Sequence, residues 1–482
     1  MSDQSIYAAQ CQPLRQLFEQ APHARKVLCV ALDYAKTTHM ALFCNGLGDI
    51  LRKPFPVHND PAGLQYLRAQ LDRTCRQHGI ASQHAFFGGE SVGPFAANFV
   101  QALRQHGHLV ADVNAWEAKQ QRDNLQASTD RLDLLGIAKV LLQRRGNFSP
   151  AQTGAYWNVR ELVRQRRRDV QQSTAVSNRL HTYVDRLCPG FLDEKRSGIS
   201  PFSEACLWLL ADRFSAQQLR HRRRESLVAG LRRGGTPEPA AAAAQLQALA
   251  AAVLPAAAAQ VPILQISLQT QVAHYRCLQH GLAQLDCELA YWLAQTQAAL
   301  LTTVSGIGIV LAAGVGGELG DPQAQGDLTA LSSYAGIVPR VAQTGGPDAP
   351  AVVGGVAKRC NRILKDYLVQ SADHLGRQGP AEFRLDWARR EAAAQHAAFG
   401  IARRYLRMAL GLMRTGQVYL PPELRSAAID QAARASYYRD RWPAWRDKWK
   451  KAGALAIAFD PAQPLGQWRE MIQTLYRIRL PL

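Results

Sequence analysis

The sequence predicts an α/β domain followed by a longer, mostly helical region. Residues 26–113 alternate short β-branched and apolar runs with amphipathic stretches, whereas from Asp130 onward apolar residues recur at helical spacing. At 482 residues the chain also exceeds what one hydrophobic core usually organises, so two or three domains are expected.

The elements follow in order. Residues 26–33 (KVLCVALD) form a dense β-branched and apolar run that ends on an acid. Residues 38–44 and 50–56 follow at hairpin distance, with Asn45-Gly46 and Gly48-Asp49 as turn signals between them. An amphipathic helix is expected over 62–76, a short strand over 84–88, a helix over 94–106 and a strand over 109–113. Three antiparallel strands followed by alternating helix and strand is the order of a ribonuclease H-like layout.

Beyond Asp130 a long basic helix is expected over 157–187, carrying Arg164, Arg166, Arg167, Arg168 and Arg179. The Ala/Pro-rich stretch 234–255 is of low complexity and reads as a linker or a helical insert. Leu268, Val272, Tyr275, Leu278, Leu282, Leu285, Leu289 and Trp292 then recur every three or four residues as a coiled-coil seam. Such a seam packs within its own chain or joins two protomers. Residues 301–375 mix glycines with short apolar runs, and helices resume over 381–415. From Ser436 the chain interleaves Tyr437, Tyr438, Trp442, Trp445, Trp449 and Trp468 with Arg and Lys. Those aromatics either stack nucleobases or pack against the preceding helices.

Arg and Lys number 57 against 38 acids, a formal net charge of +19. That excess favours a polyanionic partner: nucleic acid first, an anionic membrane surface second. No run of about 20 apolar residues is present to span a bilayer, and the N-terminus lacks the apolar core of a signal peptide. The nine cysteines include no CxxC pair, which favours reduced thiols in a cytoplasm over a disulfide frame or zinc site.

Four acids stand where a two-metal phosphodiester site would need them. Asp33 closes the first strand; Glu90 follows the fourth in GGESVG; Asp130 and Asp133 (STDRLD) sit three apart at a helix start that Ser128 or Thr129 could cap. Each alone is more readily explained by turn formation or helix-dipole complementation. Together they resemble the DEDD transposases of bacterial insertion sequences, whose N-terminal domain is RuvC-like and whose C-terminal domain carries a second catalytic element. The matching pieces are the strand ending in Asp33 with Ala35-Lys36, the Glu90-x-x-Gly93 turn, and Thr129-Asp130-x-x-Asp133. The resemblance runs over roughly 26–415 and implies that Asp33, Glu90, Asp130 and Asp133 are catalytic ligands of Mg²⁺ or Mn²⁺.

In the C-terminal block, Val304-Ser305-Gly306-Ile307-Gly308 precedes a small-residue helix. Gly306 and Gly308 either present backbone N–H groups to a DNA phosphate or serve close helix packing. The run 331–340 (LSSYAGIVPR), Gln343-Thr344-Gly345-Gly346 and Lys358-Arg359-Cys360-Asn361-Arg362 also resemble the family. Its members place a nucleophilic serine where this chain has Thr344, so the resemblance makes Thr344 the candidate nucleophile, against a turn threonine in an altered enzyme or the use of a neighbouring hydroxyl such as Ser332 or Ser333. Threonine keeps the hydroxyl but adds a methyl that crowds an in-line attack. Arg340, Lys358, Arg359 and Arg362 could stabilise phosphate charge or simply hold the backbone, and Arg164, Arg167 and Arg168 are further candidate nucleic-acid contacts.

The expected organisation is a leader (1–25), a RuvC-like catalytic domain (26–150), a basic helical and coiled-coil region (151–300), a C-terminal transposase domain (301–420) and an aromatic-basic extension (421–482). The resemblance implies a DNA recombinase that excises and inserts its own element in double-stranded DNA. It further implies a structured bridge RNA as guide and a homo-oligomer, dimer or tetramer, with no membrane partner. Two alternatives stay open: a RuvC-like junction endonuclease using metal-activated water, and a non-catalytic nucleic-acid binder.

Overall fold

The computed structural model describes residues 11–90, 94–125, 127, 129–146, 154–323, 328–342, 352–356, 360–392, 397–425 and 431–451. The chain divides into two compact units, residues 1–152 and 153–482.

The first unit contains α1 (Gln12–Gln20), β1 (Leu28–Asp33), β2 (Thr38–Asn45), β3 (Ile50–His58), α2 (Pro61–His78), β4 (Ala85–Glu90), α3 (Pro94–Gln105), β5 (Leu109–Val113), α4 (Ala115–Gln120) and α5 (Asp130–Leu142). Its five strands lie in the order β3-β2-β1-β4-β5. β1 runs antiparallel to β2 and parallel to β4, and β5 is parallel to β4. This mixed sheet is compatible with the ribonuclease H-like order expected from the sequence.

Both faces of β1 are buried, which is why its sequence is a continuous apolar run rather than an alternation. Leu28, Val30 and Leu32 pack toward α2 and α3 with Leu67, Leu71, Phe99 and Leu103. Cys29 and Ala31 pack on the other face with Leu134, Ile137 and Leu141 of α5. The segment before β1, read as a polar leader, includes α1, whose Leu14 and Leu17 join this second face. β3 is an edge strand, as its Pro54 and Pro56 require. α2 starts with Asp60 accepting from the Gly63 N–H at 2.7 Å and Pro61 in its first turn; it ends on left-handed Gly79 (φ 59°).

The second unit is almost entirely helical. It begins with α6 (Ala155–Leu187), then α7 (Glu194–Ser197), α8 (Glu204–Ala211), α9 (Ala216–His221), α10 (Arg224–Arg233), α11 (Pro239–Ala252) and α12 (Val261–Ala294). It continues with α13 (Ile309–Leu319), α14 (Leu328–Tyr334), the hairpin β6 (Pro339–Ala342) and β7 (Val352–Val356), α15 (Arg362–Gln378), α16 (Ala381–Ala392), α17 (Ala397–Thr415) and α18 (Gln431–Lys451). The two long helices lie antiparallel, since Arg166 meets Asp286, Ser173 meets Gln279 and Arg179 meets Gln271.

The apolar seam of α12 is used within the chain at both ends. Leu268 and Val272 are buried with Leu180 and Val184 of α6, and Leu289 and Leu293 enter the core built on α13 and α17. Leu282 and Leu285, between those ends, are partly exposed. The Ala/Pro-rich segment contains a helix rather than a bare linker. Ala242, Ala243, Leu246, Leu249 and Ala250 of α11 are buried, because alanine permits close helix approach. Among the described aromatics of the tail, Trp445 and Trp449 are buried in the main core, and Tyr437, Tyr438 and Trp442 pack against it. Packing therefore accounts for them; Trp468 lies outside the described residues. All nine cysteines are free thiols.

Candidate active site and nucleic-acid contacts

In the first unit the two acids at strand ends are neighbours by register. β1 and β4 are parallel with Leu32 opposite Gly89, so Asp33 and Glu90 follow side by side at the carboxyl ends of adjacent strands. Asp130 and Asp133 occupy the first turn of α5, which Thr129 caps by accepting from the Leu132 N–H at 3.4 Å. Of the two capping candidates it is Thr129 that is seen doing so; Ser128 and Gly93 lie outside the described residues.

The glycines before Glu90 make room for protein rather than for an ion. A Cβ on Gly88 would run into Leu141 of α5, and one on Gly89 would run into the Leu32 carbonyl and the Tyr34 ring. Gly88 thus lets α5 lie close against the sheet, which is what brings its acids toward Asp33. Gly136 has the same role against the Ala118 carbonyl of α4.

The electrostatics record that convergence. Burial, then the charges of Asp133 and Asp130, push the Asp33 carboxyl above the usual carboxylate range, with Arg122 pulling the other way. Glu90 is raised by burial and by Asp33, again against Arg122. Glu90 Oε1 is buried and has no hydrogen-bond partner among the described residues. Arg122 reaches Asp133 Oδ1 at 2.7 Å. This arginine was not among the sequence candidates; its only sequence signal is a basic residue shortly before Asp130. No group of three or more His, Cys, Asp or Glu among the described residues stands at metal-ligand spacing. The residues nevertheless fit a divalent cation in their chemistry: hard oxygen donors, excess negative charge and an orphaned buried carboxylate oxygen.

In the second unit, Gly306 and Gly308 form the turn that enters α13. Gly306 has φ +84°, so a side chain there would be strained, whereas a Cβ on Gly308 would meet nothing within 4 Å. α13 itself has small residues for packing: Cβ atoms on Gly314 and Gly316 would strike Tyr367 and Ala298.

Several arginines of α6 are engaged within the unit. Arg164 pairs with Glu318 at 2.8 and 3.1 Å, Arg166 with Asp286 and Arg167 with Asp366. Arg168 is exposed and donates to Gln165 at 2.7 Å. Arg362 is exposed at the start of α15. Arg340 lies on β6 with its side chain outside the described residues, as are Thr344, Lys358 and Arg359 altogether. Ser332 is buried and donates to the Leu328 carbonyl at 2.6 Å, so its hydroxyl is committed inside α14; Ser333 is exposed.

Glu318, missed by sequence reasoning, has a fully buried side chain. It accepts from Arg164 and from Asn361 Nδ2 (2.7 Å), and Arg160 lies at 3.5 Å. Asn361 also donates from Nδ2 to the Tyr334 hydroxyl at 2.9 Å and from its backbone N–H to the Tyr334 carbonyl at 2.8 Å. The chain therefore leaves toward the β6–β7 hairpin and returns from it at one buckle anchored on Glu318. Burial alone would raise the Glu318 carboxyl, but Arg164, Asn361 and Arg160 outweigh it and hold the group below the usual range. Its contribution to stability is thus complete above the ordinary glutamate pKa and is lost as the pH falls through the lowered one. Glu318→Gln is expected to cost about 3 kcal/mol, because it leaves partly buried arginines without their counter-ion. Urea unfolding at neutral pH measures this; a loss below about 0.5 kcal/mol would mean the pair adds nothing net.

Residues 30–189 match a transposase family model named for the DEDD transposases of IS110, and residues 298–386 match the model of the IS116/IS110/IS902 transposase family. No curated protein matches the chain.

Proposed function

Because the chain belongs to the IS110-type DEDD transposases, we propose that it recombines DNA through the acids of the first unit and a hydroxyl of the second. The adjacency of Asp33 and Glu90 at neighbouring strand ends, with the charges of Asp130 and Asp133 felt at Asp33, supports this reading. Asp33, Glu90, Asp130 and Asp133 would hold Mg²⁺ or Mn²⁺, which supplies Lewis-acid activation of the scissile phosphate.

Thr344 is the nucleophile in this reading. Its hydroxyl oxygen bonds to phosphorus as the bond to the leaving 3′-oxygen breaks; the threonine gives up its proton and the 3′-oxygen leaves as a hydroxyl. The reverse step, with the 3′-hydroxyl of an exchanged strand attacking, restores threonine and rejoins DNA without net hydrolysis. Arg340, Lys358, Arg359 and Arg362 neutralise charge on the phosphate during the transfer. The ribonuclease H-like layout, a bridge RNA that selects donor and target by base pairing, and assembly as a dimer or tetramer belong to the same proposal.

The test incubates the full chain with duplex DNA containing the element's own ends, with and without Mg²⁺, and resolves the products under denaturing conditions. Metal-dependent DNA linked covalently to protein is expected. Free nicked DNA without any linked species would instead make the protein a nuclease that uses water.

A further inference from the structure

α18 belongs to the extension that follows the region matched by the transposase models. One of its side chains nevertheless reaches the turn before α13. Lys448 Nζ donates to the carbonyls of Thr302 (2.5 Å), Val304 (2.8 Å) and Ile307 (2.8 Å). Three backbone oxygens of one tight turn therefore converge on a single cationic atom. Beside it, Trp445 Nε1 donates to the Thr303 carbonyl at 2.9 Å. Thr302, Val304 and Ile307 are themselves buried; the Val304 carbonyl also accepts from the Ile307 N–H at 3.1 Å, and the Thr302 and Ile307 carbonyls meet the ammonium in place of bulk water.

The peptide geometry then dictates what the opposite side of the turn presents. In a trans peptide the C=O and the following N–H point in opposite directions. With the Val304 and Ile307 carbonyls aimed at the ammonium, the Ser305 and Gly308 N–H groups are directed away from it. Neither they nor the Gly306 N–H has a hydrogen-bond acceptor among the described residues. α13 has no side-chain cap either, and the position beside Gly308 is open. A positive charge behind these peptides polarises each one, making its N–H a stronger donor to an anion in front.

We propose that Lys448 is a tethered cation filling a carbonyl cage beneath the Ser305–Gly308 turn, and that the turn's opposite side takes a backbone phosphate of duplex DNA. The ammonium occupies a position suited to a free monovalent cation such as potassium, so the wild-type contact needs none. This deepens the proposed function and rests on its reading of the chain as one that acts on duplex DNA. Burial lowers the Lys448 ammonium to about 8, and the group stays mostly charged at neutral pH.

The experiment measures binding of the full chain to a fluorescent DNA duplex by anisotropy. Buffers are matched in ionic strength, with potassium or tetramethylammonium as the cation. Gly308→Asp, which adds a carboxylate without a clash, is expected to weaken binding about tenfold in both buffers; unchanged binding removes the DNA contact and the proposed phosphate site with it. Lys448→Met is expected to weaken binding about tenfold in tetramethylammonium and to recover to within about threefold in potassium. Without DNA, potassium should raise the melting temperature of Lys448→Met and leave the wild type unchanged. A weakened Gly308→Asp beside a Lys448→Met that binds normally, or that is weakened equally in both salts, overturns the tethered cation while leaving the turn as a DNA contact. Should Lys448→Met not fold in either salt, Lys448→Gln, neutral but still a donor, decides the matter. A loss of about tenfold beside an unchanged melting temperature supports the role of the charge, and normal binding overturns it.

Discussion

Asp33→Asn is expected to lower strand cleavage by the full chain by about a thousandfold or more, while affinity for duplex DNA stays within about twofold. Asp33 sits where the charges of Asp130 and Asp133 act on it, and Glu90 follows on the adjacent strand. An amide there keeps the shape of the site but removes one of its negative charges, and with it the attraction for a divalent cation. The chain's excess of cations, which is expected to carry DNA binding, is left alone by this change. The same substitution should raise the melting temperature, measured with a chelator present, by about 2 °C. A carboxyl raised in the folded state stabilises fully below its unfolded pKa and loses that contribution as the pH rises through the folded value, so at neutral pH the ionised Asp33 is a cost. Cleavage that survives in Asp33→Asn would remove it from the proposed metal site. An unchanged or lower melting temperature would mean that Arg122 already offsets the like charges.

Thr344→Ala is expected to eliminate the covalent protein–DNA species, by about a thousandfold or more, because no oxygen remains to bond to phosphorus. Thr344→Ser should keep the adduct or increase it, since serine supplies the same oxygen without the methyl that stiffens χ1. The two variants together separate nucleophile from bystander. A merely structural threonine would tolerate alanine, and water as the attacking group would make both substitutions silent. Full recombination by Thr344→Ala would pass the role to another hydroxyl. Exposed Ser333 would be the first to test, because the Ser332 hydroxyl is committed to the Leu328 carbonyl within α14.

Much of the first unit is legible in its residues alone. The apolar run ending in Asp33 and the turn signals around Gly46 follow from local rules, so the strands and the hairpin pairing of the second with the third are predictable. Helix starts are marked too, by Asp60 before Pro61 and by Thr129 before Asp130. The seam of α12 is visible as a period, but a period names a face and not the surface that covers it. α6 of the same chain covers both ends of that face.

What the sequence by itself determined is therefore local: which segments become strands and helices, where they start, and which acids stand at their ends. Only the tertiary structure decided which charges meet. Glu318 and Arg164 lie 154 positions apart, and Arg122 joins the acids through the packing of α4 and α5 against the sheet. The cage around Lys448 is further still from the sequence, because its ligands are backbone carbonyls, which every residue carries and no letter marks. The physical reason is the same in each case. Backbone preference acts within a few residues, whereas charge and burial act through space, and space is allotted only when the chain has folded.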